Sequence, residues 1–122
     1  MRNGWRALTA GIILCTVACS SVDLPNGKSV RVVREVVPPT GKGAYVLIYR
    51  TASSPSDCSA IVPEVDEVWT TVRARADQAQ APIATIVAEA GDGASTVAVF
   101  TRSDKGWTQT QRPWGCDAKG AL

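Results

Sequence analysis

The chain has no histidine in its 122 residues. That absence removes the commonest general base and the commonest metal ligand, and with them any Ser-His-Asp or Cys-His arrangement. A strong excess of one charge is also missing. Thirteen Lys and Arg stand against eleven Asp and Glu, a net charge of +2. A nucleic-acid partner would call for clustered basic residues instead. The sequence has no Gly-x-Ser-x-Gly elbow. Gly27-Lys28-Ser29 ends like a P-loop, but Val22 stands where that motif needs its first glycine. Gly41-Lys42-Gly43 precedes a strand, whereas a dinucleotide fingerprint follows one. Its most apolar run, residues 7–18, falls short of the roughly 20 residues a membrane-spanning helix needs. With 45% hydrophobic and 20% charged residues, the composition suits one folded domain of about a hundred residues.

What is present begins at the N-terminus. Arg2 and Arg6 precede the apolar run, with no acidic residue nearby. This is the layout of a secretory signal peptide over residues 1–18. Thr16-Val17-Ala18-Cys19-Ser20 resembles the lipobox of bacterial lipoproteins, with Ala18 as the small residue and Cys19 as the acylated one. Thr16 stands where leucine is usual, and Thr16-x-Ala18 also fits ordinary signal-peptidase cleavage, so a periplasmic or secreted chain is the alternative. The resemblance implies acyl chains on Cys19 and a membrane anchor, since two or more chains hold a protein stably. In Gram-negative lipoproteins an aspartate after the cysteine favours inner-membrane retention. Ser20 in that place implies the periplasmic side of the outer membrane.

Cleavage before Cys19 would take away two arginines and no acid, leaving the mature chain neutral. Cys15 would leave with the signal peptide. Cys58 and Cys116 would remain in an oxidising compartment, where they are expected to form a disulfide. Such a bridge contributes about 4 kcal/mol in the chain-entropy picture. The alternatives, a redox pair or metal ligands, lack Cys-x-x-Cys spacing and histidine support.

Residues 19–28, with Pro25, Asn26 and Gly27, read as a lipidated N-terminus and polar tether, and residues 29–122 as one domain. Residues 29–37 are valine-rich and read as a strand. Residues 43–51 read as a central strand covered on both faces, because Tyr45, Leu47 and Tyr49 alternate with Ala44, Val46 and Ile48. A helix is expected from Asp57 or Ser59, with Pro63 in its first turn. Apolar residues from Ile61 to Ala79 recur on one face of it, and Glu64, Asp66 and Glu67 near its start suit the helix dipole. Further strands are expected at 82–89, 95–102 and 107–112, with Val97, Val99 and Thr101 sharing a face. The order ββαβββ predicts an α+β fold: an antiparallel sheet of four to five strands with one helix packed on a face. A small β-barrel with a helical plug is the alternative.

Glu64 and Glu67, three apart on the helix, could seat a general acid and base, although a solvated acidic turn is the plainer reading. Trp69 lies on the apolar helix face and reads as core. Trp107 and Trp114, near an edge strand and the tail, are the candidate partner surface, because aromatics anchor interfaces. The strand end Tyr49-Arg50-Thr51, followed by a helix with Glu64 and Val68-Trp69, resembles small exported bacterial proteins of unassigned function. The expectation is a non-enzymatic envelope lipoprotein, a binding or accessory module with an envelope protein partner and no cofactor, metal or nucleic acid. An inhibitor or immunity protein against a periplasmic hydrolase is the alternative.

Overall fold

Alternation of large side chains on β3 sets the plan of the molecule. In the structure, a computed structural model that describes residues 20–116, β3 (Ala44–Arg50) turns Tyr45, Leu47 and Tyr49 to one side and buries all three completely. What covers them is α1 (Cys58–Gln78), through Ile61, Val65, Val68, Trp69, Val72 and Ala76. The other strands are β1 (Ser21–Asp23), β2 (Ser29–Val36), β4 (Ile83–Glu89), β5 (Ser95–Ser103) and β6 (Gly106–Gln111). They form one sheet in the order β1-β2-β3-β4-β5-β6. The fold is α+β with two layers. The sheet stays open, with β1 and β6 as its edges, and does not close into a barrel.

Three expectations about the sheet are corrected. It has six strands, because residues 20–28 do not form a free tether. Val22 and Leu24 are buried beside Val30 and Val32, and β1 pairs antiparallel with β2. The sheet is mixed rather than antiparallel. A crossover of one long helix returns the chain to the end at which β3 began, so β4 lies parallel to β3. Lastly, β3 is central but, among the described residues, covered on one side only. The buried face of β5 is Thr96, Ala98 and Phe100, so Val97, Val99 and Thr101 lie on the side away from the helix.

The helix starts one turn earlier than its proline suggests. Asp57 occupies the N-cap, and its carbonyl accepts from the Ile61 amide at 2.8 Å. Pro63 therefore sits in the second turn, where its missing N–H forfeits the bond to the Ser59 carbonyl. Glu64, Asp66 and Glu67 lie beyond the first turn, so among these charges only Arg75, in the last turn, meets the dipole. At the other end Gln80 adopts φ +53°. Ala81 N–H donates to Ala76 O and Gln80 N–H to Asp77 O, a Schellman closure with glutamine where glycine is usual.

Packing between the layers is graded by size. Ala84, Ala88 and Ala98 let the helix approach β4 and β5, while Tyr45 and Tyr49 fill the space over β3. Trp69 stacks on Phe100 at 4.4 Å between centroids and meets Trp107 edge-on at 4.9 Å. The Cys58–Cys116 disulfide joins the start of α1 to the segment after β6, with Cα atoms 5.5 Å apart.

Candidate functional site

Two polar knots tie helix to sheet, and both use a β3 tyrosine. A bulge at Val33 shifts the pairing of β2, so that Val30 and Val32 face the helix before it and Glu35 after it. Glu35 Oε2 then accepts from Tyr45 OH at 2.5 Å and from Arg75 Nη1 at 2.8 Å. At the other end of β3, Glu64 Oε1 accepts from Tyr49 OH at 2.8 Å and from Thr51 Oγ1 at 2.6 Å. Burial pushes both phenols well above the usual tyrosine range, and the neighbouring carboxylates, Glu35 and Glu64, push the same way.

Glu64 and Glu67 line one cleft of about 550 Å³ at the carboxyl end of β3, which Lys28, Arg31 and Arg50 also border. Glu64 is held by Tyr49 and Thr51, and Glu67 Oε1 accepts from Asn26 Nδ2 at 3.1 Å. Both carboxylates thus hold neighbouring elements in place: the end of β3 in one case, the β1–β2 turn in the other. Among the described residues, no three His, Cys, Asp or Glu side chains gather as metal ligands would.

The structure separates the two candidate tryptophans. Trp107 opens β6 and packs on the core beside Trp69, and its Nε1–H donates to Asp77 Oδ1 at 2.7 Å, near the C-terminal end of α1. Arg102 lies over its ring at 5.9 Å. Trp114 stands beyond the other end of β6, close to the disulfide at the start of the helix. The extended chain of β6 runs between them, up to about 25 Å for the seven residues from Trp107 to Trp114, so the two rings do not form one patch.

Trp114 is the residue of that pair presented to solvent, at 57% exposure. Residues 113–116 form a turn closed by Cys116 N–H to Pro113 O at 2.8 Å, with Gly115 at φ +79°, a value that suits glycine. Thr96 Oγ1, buried on β5, accepts from the Trp114 amide at 2.6 Å, and Arg112 Nε donates to the Cys116 carbonyl at 3.0 Å. Grooves of about 480 Å³ and 160 Å³ flank the ring, the first along residues 109–115 and the second between Pro55 and Ser95. The result is an apolar ridge on a backbone fixed by a disulfide, a turn and a buried hydroxyl. Sequence alone marks the aromatic but not the Thr96 bond, which joins residues 18 apart.

Cys19 and residues 1–18, where a signal peptide is expected from the sequence, lie outside the described residues. Their neighbour Ser20 already belongs to the sheet margin, where its carbonyl accepts from Val32 N–H at 3.1 Å. No helix among the described residues is long and apolar enough to cross a membrane. Comparison with protein families, with curated proteins and with solved structures finds no match to this chain.

Proposed function

We infer that the protein is a non-enzymatic cell-envelope lipoprotein, a binding or accessory module anchored through acyl chains on Cys19 and facing the periplasm. The observation that carries the binding part is Trp114: a large aromatic, more than half exposed, on a backbone that cannot relax away from solvent. Interfaces draw most of their energy from a few such anchors, and a preorganised anchor loses little entropy on binding. The Thr16–Ser20 motif and the Cys58–Cys116 disulfide support an exported, acylated chain. Ser20 enters the sheet at once, so an acyl-bearing Cys19 would seat the domain against the outer-membrane surface with no leash between them.

The test is site-specific photocrosslinking in intact envelopes, with a photoreactive amino acid at position 114 or at 107. A discrete protein adduct is expected at 114 and none at 107. No adduct at 114, or equal adducts at both, overturns the assignment. An adduct to a single periplasmic hydrolase whose activity the protein suppresses would turn the reading to an inhibitor or immunity protein.

A further inference from the structure

The side of the sheet away from α1 carries the strongest unused signal. Val46, Ile48, Ile83, Val87, Val97 and Val99 all point there, and no described element covers them. Ile83 is 40% exposed, and the valines form a continuous band across β3, β4 and β5. A strand apolar on both faces is the mark of one covered on both faces. In β3 only one of its two layers is supplied by the described residues.

We propose that a second copy of this chain supplies the other layer, by face-to-face packing of the two open sheets. The register of the strands carries the argument. A two-fold axis parallel to the strands and between β3 and β4 places each β3 residue over the β4 residue of the same row in the other copy. The rows are Arg50 with Glu89, Ile48 with Val87, Val46 with Thr85 and Ala44 with Ile83. Ile48 therefore meets the partner's Val87, and Arg50 meets the partner's Glu89, each contact occurring twice by symmetry. Arg50 and Glu89 already pair within one copy at 3.5 Å and remain partly exposed. Doubling the sheet closes them into an alternating ring of four charges at one rim. Aligned sheets pack about 30° apart, which moves that end row by a few ångströms, within reach of an arginine side chain.

The open-face charges of β2 fit as well. Arg31 lies in the Arg50 row and faces the partner's Ser95, so no two arginines are opposed. Arg34, in the next row, lies on β2 towards the edge, where its stem can cover the partner's Val97 with the guanidinium in water. The area is that of a weak, reversible contact. About this axis β2 to β5 overlap, and four strands about 4.8 Å apart and about 23 Å long give roughly 440 Å² in projection on each copy, or about 880 Å² for the pair. Trp114, Glu64 and Glu67 stay outside the contact, because they belong to the helix side and its margins, while Arg31 and Arg50, at the end of the sheet, also border the carboxylate cleft. The proposal does not depend on acylation of Cys19.

Sedimentation velocity of the purified full chain in mild detergent tests it, together with Arg50→Glu and Glu89→Arg. The wild type should be mostly dimer at about 100 μM. Each single variant should weaken association about tenfold or more, since both symmetric contacts reverse sign together. Circular dichroism melts of both variants should stay close to the wild type. Mixed in equal amounts, the two variants should form a mixed dimer in native mass spectrometry, because each then meets opposite charge across the axis. The pair within one copy cannot produce that rescue. A wild-type chain that stays monomeric at about 100 μM overturns the proposal, as does a dimer indifferent to both variants or a mixture that fails to associate. Binding of a monomer to phosphatidylethanolamine–phosphatidylglycerol vesicles would overturn it too and assign the face to lipid.

Discussion

Removing one oxygen tests how the helix is fixed to the sheet. Tyr49→Phe keeps the ring, which is fully buried, and deletes only the hydroxyl that reaches Glu64 Oε1 at 2.8 Å. Hydrogen bonds to charged groups contribute about 1.5–3 kcal/mol. Glu64 is only half-buried and keeps Thr51 Oγ1 at 2.6 Å, so the lower end applies, a loss of about 1.5 kcal/mol. Glu64→Ala is the harsher change. It strands a buried phenol and a buried threonine hydroxyl together, and should cost about 2–3 kcal/mol. The double variant should recover about 1 kcal/mol or more of the summed loss, because the two changes remove the same bond. Urea unfolding followed by tryptophan fluorescence reads this directly, since Trp69 and Trp107 report on the core. With a slope of about 1–1.5 kcal/mol per molar, Tyr49→Phe shifts the midpoint by about 1 M. A coupling energy below about 0.3 kcal/mol would refute the reasoning, because the phenol and the carboxylate would then be independent.

Three further outcomes follow from the same geometry. Tyr45 and Tyr49 are the only tyrosines, so phenolate absorbance near 295 nm reports on both knots at once. Their folded ionisation is raised above the unfolded value near 10, so the stability they contribute is complete below about pH 10 and is lost as pH rises through the folded values. The folded chain should show almost no phenolate at pH 10.5, whereas the chain in urea should be more than half ionised; matching curves would contradict it. Gln80→Gly relieves a left-handed residue at the helix end and should stabilise by about 0.5–1 kcal/mol in the same unfolding assay. Replacing Cys58 and Cys116 by alanine should cost about 4 kcal/mol, read as a lower melting temperature than that of the oxidised wild type.

Much of this fold is legible from local pattern. The segments 29–37, 43–51, 82–89, 95–102 and 107–112 become β2 to β6, and the apolar positions from Ile61 to Ala76 become the buried face of α1. Cys58 and Cys116 pair as expected. β1 is not legible, because three residues carry too little alternation and their support comes from β2 across a turn. The burial of Val22 is a tertiary fact. Alternation on β3 and β5 shows two chemically distinct faces but not which of them the helix takes, and Val97 and Val99 fall on the uncovered side for that reason. The sequence pattern puts Pro63 in the first turn of the helix, but the chain carries it one turn further in and gives up one hydrogen bond there. For the candidate site, the aromatic residues are visible in the sequence. The separation of Trp107 from Trp114 is not, because it depends on opposite ends of one helix and on the Thr96 anchor.

The central claim is that the chain is cut before Cys19 and held to its membrane by lipid on that residue. Mass spectrometry of the N-terminal peptide, from protein purified out of envelopes of the cell that makes it, tests this most directly. Acylation at Cys19 gives a peptide that begins at that residue and carries acyl chains on it. A peptide that begins at Cys19 with a free thiol, or one that still contains residues 1–18, would contradict it.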